Sequence, residues 1–242
     1  MEAIIQSSKI NLVLETLQAV VEESLFELDE SGIEASVAHE SSVCVVKLNL
    51  SESAFATYNF DARTIGVDIE EMNDILSIAE DEPVTLILED HNLESKFTEV
   101  DYRSALIDTD SIDNHQEIPD LDLNAGFGLT SEQFSKAINV SGKVANHVDI
   151  GLNESEGVVQ FKAAGDDNRV ITEFDQEELL DITPFPASAT YSLTFLEEIN
   201  SVIPSETNIH VEFDEEFPMV ISYSILDDDG EVNYMLAPRL SE

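Results

Sequence analysis

An internal repeat constrains this chain more than any other feature of its sequence. Three segments of the first half recur in the same order in the second half: a turn signal between apolar runs, an acidic stretch with helical spacing, and a short apolar strand pattern. The matched pairs are residues 28–33 with 152–158, 70–76 with 197–203, and 84–90 with 209–214. The offset stays close to 125 positions, as between Gly32 and Gly157. Each match alone is weak, but their common offset predicts a duplicated domain.

The segment between the repeats, residues 107–124, has neither helical nor strand periodicity. It contains six carboxylates and Pro119 within eighteen residues. This composition is typical of a solvated, extended connector. The sequence therefore predicts an N-terminal domain at residues 1–107, a connecting loop at 108–124 and a C-terminal domain at 125–242.

The net charge of the chain is extreme. Fifty-two acidic residues against 10 basic ones give −42, and such self-repulsion works against a compact state at ordinary salt. At molar salt the screening length falls to about 3 Å, and the penalty largely disappears. Because 43% of the residues are hydrophobic, the chain can still form folded cores. We interpret it as a protein of a salt-loaded cytosol; a calcium-binding or otherwise cation-dependent acidic protein is the alternative.

Four segments have the apolar spacing of short amphipathic helices, and each begins near residues that can cap a helix. The predicted starts are Ser7 or Ser8, Asp68 with Glu71, Thr130 with Gln133, and Thr194 with Glu197. Most of the other apolar segments have strand character. The pattern predicts an α+β fold of two similar domains, in which antiparallel sheets carry helices on one face.

The sequence contains no motif for catalysis, cofactor binding or metal binding. It has no Walker loop, and the glycines at 126 and 128 lack the third glycine of a dinucleotide fingerprint. Residues 227–230 (DDDG) resemble part of a calcium loop, but apolar residues occupy its first and last ligand positions, which favours a hairpin turn. Cys44 is the only cysteine, and no segment is apolar over 18 residues. We expect a soluble intracellular protein that is not an enzyme and has no cofactor, metal site or membrane span.

Two C-terminal segments, PMVISY at 218–223 and YMLAPR at 234–239, accompany the IPD of the connector at 118–120. Together with the duplication, they resemble the proliferating cell nuclear antigen family, the sliding clamps of archaea and eukaryotes. Residues 32–50 resemble the first-domain hairpin of that family, and residues 13–17 resemble its first helix. The resemblance covers essentially the whole chain, and the charge favours a halophilic archaeal member.

The resemblance implies a ring-forming sliding-clamp architecture. Three subunits, each with two similar domains, would encircle duplex DNA, with helices lining the hole and sheets on the outside. A strand near residues 101–107 of one subunit would pair with a strand near 169–174 of the next. Arg103 and Arg169 are scarce cations on these strands, and the resemblance implies that they form intersubunit ion pairs. The alternative is that both are ordinary exposed edge residues.

The same resemblance implies a tethering role. The ring would hold DNA polymerase on DNA, and a clamp loader, nuclease and ligase would also bind it through short peptides. Such peptides insert apolar and aromatic anchors beneath the connector. The matching positions are Val43, Val45, Ile118, Pro119, Pro218, Met235, Leu236, Ala237 and Pro238. Met235 stands where eukaryotic members more often have an aromatic residue.

The helices expected to face DNA are nearly without positive charge. Asn11, Gln18, Asp74, Ser77 and Ser201 lie where the family often has lysine. The candidates that remain are Lys9, Lys136 and Lys143. Because duplex DNA normally binds through lysine and arginine, we hypothesise that solvent cations such as Na⁺ or K⁺ replace these side chains and that DNA is held by enclosure.

Two other functions stay open at this stage. The chain could be one subunit of a hetero-oligomeric clamp, which shares the fold without forming a homotrimer. It could also be an acidic cation- or carbohydrate-binding module, which would not respond to clamp-binding peptides. For the clamp, the expected location is a high-salt cytoplasm, in association with the nucleoid.

Overall fold

The structure, a computed structural model, describes residues 1–153 and 157–239. Within these ranges the two halves have the same succession of nine strands and two helices. The first half comprises β1 (Glu2–Gln6), α1 (Ser7–Gln18), β2 (Glu23–Asp29), β3 (Gly32–Ala38), β4 (Cys44–Ser51), β5 (Thr57–Asn59), β6 (Arg63–Asp68), α2 (Ile69–Leu76), β7 (Pro83–Leu88), β8 (Asn92–Phe97) and β9 (Val100–Ala105). The second half comprises β10 (Ala125–Thr130), α3 (Ser131–Gly142), β11 (His147–Asn153), β12 (Val158–Ala164), β13 (Arg169–Phe174), β14 (Ile182–Thr183), β15 (Ala187–Ser192), α4 (Leu193–Val202), β16 (Asn208–Phe213), β17 (Met219–Ile225) and β18 (Gly230–Leu236).

The order of neighbouring strands repeats as well. In the first half it runs β5-β1-β7-β8-β9 and β4-β3-β2-β6, and in the second half β14-β10-β16-β17-β18 and β13-β12-β11-β15. Every strand thus has a counterpart at the same position of the other half. The predicted duplication and the predicted α+β class are both confirmed.

All four helices begin in the same way. The backbone N–H of the first helical residue donates to a carbonyl oxygen of a distant loop, at 2.8–2.9 Å. The pairs are Ser7 with Glu82, Ile69 with Glu22, Ser131 with Thr207, and Leu193 with Asn146. This bond satisfies one of the N–H groups that a helix start leaves without an internal partner.

Side-chain caps occur at two of these four starts. Oδ1 of Asp68 accepts a hydrogen bond from the backbone of Glu71 at 2.8 Å, and Thr130 forms a capping box with Gln133, as predicted. The predicted caps at Ser7 or Ser8 and at Thr194 are wrong. Helices α1 and α4 follow directly on strands β1 and β15 without a side-chain cap.

The chain forms two compact units, and one segment from the second half of the sequence belongs to the first unit. We call it the exchanged segment. Of the described residues, 1–118 and 224–232 form unit 1, and 119–153, 157–223 and 233–239 form unit 2. The boundary at 118/119 lies inside the predicted connector. The exchanged segment is the tip of the β17–β18 hairpin, which begins and ends inside the second half of the sequence.

Backbone and side-chain bonds attach this hairpin tip within unit 1. The carbonyl oxygen of Asp229 accepts from the backbone N–H of Ser51 at 2.8 Å, and its Oδ1 accepts from Oγ of Ser53 at 2.6 Å. Leu226, Asp227 and Asp228 all have positive φ, between 58° and 72°. This left-handed run turns the chain sharply, so the predicted hairpin turn at 227–230 is confirmed.

Each unit has its own apolar core. In unit 1, α1 packs against α2 and buries Ile10, Val13, Leu14 and Leu17. In unit 2, the ring of Phe127 makes edge-to-face contacts with the rings of Phe161 and Phe213, at centroid distances of 6.1 and 6.0 Å. No helix in the described part of the chain is long and apolar enough to cross a membrane.

Candidate assembly and partner-binding surfaces

Two strands, β9 in unit 1 and β13 in unit 2, lie at open sheet edges. Each has only one neighbouring strand, β8 or β12, in the described structure, so one row of backbone N–H and C=O groups on each is free to pair. Large apolar side chains are exposed on both strands, namely Val100 on β9 at 40% and Ile171 on β13 at 45%. These edges are suited to strand pairing with another chain.

The two predicted interface arginines differ in their surroundings. The guanidinium of Arg103 forms an ion pair with Glu89 and lies 3.6 Å from Oε1 of Glu94. Lys96 and, more weakly, Arg103 hold the pKa of Glu94 below its ordinary value. Arg169 is exposed and forms no ion pair within residues 1–153 and 157–239. Of these two arginines, Arg169 is thus the one whose guanidinium has no ion pair in the part of the chain that the structure describes.

A helix lies beside each open edge. Burial, and then the carboxylate of Glu71 on α2, raises the pKa of Tyr102 on β9 to about 12. Helix α3 packs against β13. The exposed positions at one-turn and two-turn spacing are Glu71, Asp74 and Ile78 in and just after α2, and Lys136, Val140 and Lys143 in and just after α3. Each edge thus carries a charged and apolar stripe, negative on unit 1 and positive on unit 2.

The three lysines predicted to face DNA are not equivalent. Nζ of Lys9 lies 3.8 Å from Oδ2 of Asp229 and 3.4 Å from the carbonyl oxygen of Ala54, so this cation is engaged inside unit 1. Lys136 and Lys143 are exposed and form no ion pair in the described structure. Among these three, only the two lysines of unit 2 are free for an external anion.

The positions matched to partner peptides are distributed over both units. Val43, Val45 and Ile118 belong to unit 1, and Pro119, Pro218, Met235, Leu236, Ala237 and Pro238 belong to unit 2. Val45 and Leu236 are fully buried, Pro119 is exposed, and the others are half-buried. Leu236 and Tyr234 lie two positions apart on β18 and are both buried on the same face of the strand, whereas Met235, between them, lies on the other face. Leu236 is accordingly a core residue, and Met235 is accessible to a ligand.

Most side chains in the first half of the connector are exposed, but its backbone is held against unit 1, which was not predicted. Its residue Ile112 is only 6% exposed. The backbone N–H of Ile107 donates to the carbonyl oxygen of Gly66 at 2.9 Å, and that of Ala38 donates to the carbonyl oxygen of Asn114 at 2.8 Å. We call residues 107–117 the strap. It belongs to unit 1, because a buried isoleucine and backbone hydrogen bonds hold it there while its acidic side chains remain in solvent.

The C-terminal tail is fixed within unit 2. The backbone N–H of Arg239 donates to the carbonyl oxygen of Thr190 at 2.7 Å, and its Nη1 lies 2.9 Å from Nδ1 of His147. Burial and the guanidinium of Arg239 lower the pKa of His147. Sequence patterns did not reveal this contact, since its two residues are 92 positions apart.

Acidic side chains also line an open groove of about 870 Å³ in unit 1, beside the β2–β3 turn and the exchanged hairpin. Hydrogen bonds from Ser31, and then from Gly32, lower the pKa of Asp29 in this groove. Within the described residues, no group of three or more histidine, cysteine or carboxylate side chains is arranged to hold a metal ion.

Comparisons with known proteins decide the family. Residues 1–118 match the family model for the N-terminal domain of proliferating cell nuclear antigen. The chain is 32% identical over 242 residues to a DNA polymerase sliding clamp of Natronomonas pharaonis, covering 99% of this chain and 98% of that protein. It is 31% identical to the DNA polymerase sliding clamp of Haloarcula marismortui, with 98% of each chain covered.

The chain belongs to the sliding-clamp family. Clamps of this family are non-enzymatic processivity factors, and the halophilic relatives support a halophilic archaeal origin.

Solved clamp structures share the whole fold. The complex described as the C-terminal region of FEN-1 bound to A. fulgidus PCNA superimposes with a TM-score of 0.94 at 26% identity, over 100% of this chain and 99% of that one. PCNA from Thermococcus kodakaraensis superimposes with a TM-score of 0.88 at 23% identity, over 98% and 99% of the two chains. The predicted sliding-clamp architecture is confirmed.

Proposed function

We propose that this sliding clamp assembles head to tail as a homotrimer, encircles duplex DNA and tethers DNA polymerase and other replication and repair enzymes. The observation that carries the proposal is the presence of two different open edges, β9 and β13, on one chain. When two unlike edges pair head to tail, the copies form a closed ring if the rotations from one copy to the next add up to a full turn. Pairing them satisfies the free backbone groups of both strands.

The stripes beside the edges support the same assembly. If β9 of one subunit pairs with β13 of the next, α2 and α3 lie side by side across the junction. Acidic Glu71 and Asp74 then come near Lys136 and Lys143, and the exposed Ile78 lies near Val140. Arg169 would add a free cation to the junction, whereas Arg103 would enter it together with its carboxylate partners.

The proposed domain organisation keeps the two similar clamp domains at residues 1–107 and 125–242, joined by the connector at 108–124. The duplicated strand order supports it. The hairpin tip at 224–232 is the one segment of the C-terminal domain that completes the other unit.

Partner enzymes are proposed to bind through short peptides at Val43, Val45, Ile118, Pro119, Pro218 and residues 235–238. The support is the A. fulgidus clamp, which has the C-terminal region of FEN-1 bound. We propose DNA polymerase, the clamp loader, nuclease and ligase as partners of this kind.

Duplex DNA is proposed to be retained by enclosure in a high-salt cytoplasm. A net charge of −42 per chain disfavours contact with another polyanion, unless concentrated cations such as Na⁺ or K⁺ screen both surfaces. The DNA-facing candidates Lys136 and Lys143 form no ion pair within residues 1–153 and 157–239. Because Glu71 and Asp74 of the next subunit would neutralise them at the junction, little positive charge is left for DNA.

Light scattering of the purified chain in molar KCl tests the assembly. We expect a mass three times the 26.8 kDa of one chain. A monomer at all protein concentrations, or assembly only with a second clamp chain, would contradict the homotrimer. Retention on circular DNA after loading, with loss when the DNA is linearised, tests enclosure.

A further inference from the structure

The strap is attached to unit 1 along its whole length. At its start, the backbone of Ile107 is bonded to Gly66. In its middle, Nδ2 of Asn114 donates to the carbonyl oxygen of Glu23 at 2.7 Å. Near its end, Oγ of Ser36 donates to the carbonyl oxygen of Gln116 at 2.7 Å, and the backbone N–H of Gln116 donates to the carbonyl oxygen of Ser36 at 3.2 Å. Backbone bonds of this kind hold the strap like an additional strand segment.

Gly66 makes this attachment possible. A Cβ atom at residue 66 would lie 2.6 Å from the carbonyl oxygen of Ile107 and 2.9 Å from Cδ1 of Ile112. The first of these neighbours is backbone, so it cannot turn away as a flexible side chain could. The φ angle of Gly66 is not positive, so the backbone conformation itself does not require glycine. The close approach of the strap is what requires it.

The end of the strap adjoins the proposed partner-peptide positions. Glu117, its last residue, directly precedes Ile118 and Pro119. Nζ of Lys47 lies 2.9 Å from Oε2 of Glu117, and Lys47 is two residues from Val45 on β4. The strap therefore determines where Ile118 lies relative to β4.

We propose that Gly66 is a positioning residue for partner binding: by admitting the strap against β6, it holds Ile118 and Pro119 ready for a partner peptide. The proposal rests on the proposed function, because it concerns the same peptide site. Gly66 itself is at the start of the strap and is not one of the peptide-contact positions. A docked strap favours binding because the peptide does not have to order the connector first.

Gly66→Ala tests this in the full-length chain in molar KCl. Gly151→Ala is the matched control, because a Cβ at that strand glycine would meet its nearest atom at an ordinary 3.7 Å. The probe is a synthetic peptide with the C-terminal sequence of A. fulgidus FEN-1. We expect Gly66→Ala to weaken peptide binding about tenfold or more, since binding must then also order the strap, and Gly151→Ala to leave it unchanged.

Hydrogen exchange supplies a second, independent measurement. In the wild type, the amides of Ile107, Ala38 and Gln116 should be protected, and in Gly66→Ala they should exchange much faster. Ile112→Ala removes the buried side chain of the strap, leaves Gly66 in place and should give the same two effects in milder form. It therefore keeps the test valid if Gly66→Ala fails to fold.

The outcomes separate the two proposals. Suppose that the wild type binds the peptide, that Gly66→Ala binds it equally tightly, and that the strap amides of the variant exchange fast. This result would overturn the positioning role alone. Weakened binding with the strap amides still protected would also overturn it, because the loss would then come by another route. No peptide binding by the wild type would remove the partner function and the positioning role together.

Discussion

The ammonium nitrogen of Lys47 lies 2.9 Å from Oε2 of Glu117, so that β4 and the end of the strap share an ion pair. The same nitrogen lies 2.9 Å from Oε1 of Glu34. The hydrogen bond with Glu34, and then that with Glu117, raises the pKa of Lys47. In a chain with 10 basic residues, one cation between two carboxylates relieves repulsion at the place where the strap docks.

We expect Lys47→Met to lower the free energy of unfolding by about 0.5–1 kcal/mol at the lowest salt at which the chain folds, as for a partly exposed ion pair. The loss should shrink in molar KCl, where screening weakens the pair. Denaturant titrations at two salt concentrations measure both effects. Lys162→Met removes the same charge from an exposed lysine that has no ion pair within residues 1–153 and 157–239, and it should change stability little. Equal losses in the two variants would contradict this role of Lys47.

His147 and Arg239 make the attachment of the C-terminal tail sensitive to pH. Burial and the neighbouring guanidinium lower the pKa of His147 in the folded chain from the ordinary value of 6.5. As the pH falls through that value, His147 takes up a proton in the unfolded chain before it does so in the folded chain. The contribution of His147 to stability is therefore present above about pH 6.5 and is lost as the pH falls below it. Thermal unfolding of the wild type and of His147→Gln between pH 8 and about pH 5 measures this. The variant should lose less stability across that interval, and parallel curves would refute the assignment.

The neighbouring residues Met235 and Leu236 should separate partner binding from folding. Leu236 is fully buried, so Leu236→Ala should cost about 2–5 kcal/mol of unfolding free energy. Met235 is half-buried on the opposite face of β18. Met235→Ala should therefore keep most of the unfolding free energy but bind the FEN-1 peptide more weakly. Denaturant titration and calorimetric peptide titration of each variant test the distinction. A Met235→Ala variant with normal affinity would remove this residue from the proposed site.

Charge exchange between α2 and α3 tests the proposed junction. Lys136→Glu combined with Lys143→Glu places acids opposite Glu71 and Asp74 of the next subunit, and should weaken assembly by about tenfold per interface. Adding Glu71→Lys and Asp74→Lys to the same chain should restore it. Light scattering over a dilution series measures the effect.

The matched control for this exchange is Lys162→Glu. It makes the same charge change at an exposed lysine of β12. Its neighbours Phe161 and Ala163 are buried, so Lys162 lies on the opposite face of the strand, and the change should leave assembly unchanged. If the four-site variant assembles no better than the double variant, these helices do not meet as proposed.

Features that depend on nearby residues were predictable from the sequence, and those that depend on distant backbone were not. The cap of Asp68 and the capping box at Thr130 involve residues three positions apart, and both predictions are confirmed. The serine cap predicted for α1 was wrong, because the first N–H of this helix is bonded to the carbonyl oxygen of Glu82, far away in the sequence. Docking of the strap was not predicted for the same reason. In the sequence Gly66 is an ordinary strand residue, and only the structure shows that Ile107 and Ile112 lie against it.

The candidate sites show the same division. The repeat offset correctly indicated two equivalent sets of strands, whereas the edge strands were expected only from the family resemblance. Periodicity could not show that Leu236 lies in the core while Met235 is accessible, because both belong to one apolar run. Nor could it show that Lys9 is engaged by Asp229, a residue of the exchanged hairpin.

That exchange has a consequence for biosynthesis. Residues 224–232 complete unit 1, but they are translated only after the whole of residues 119–223. The first 118 residues must therefore wait, incompletely folded, until these later residues have been translated. A nascent chain that stalls before this segment emerges would leave both halves of the protein unfinished.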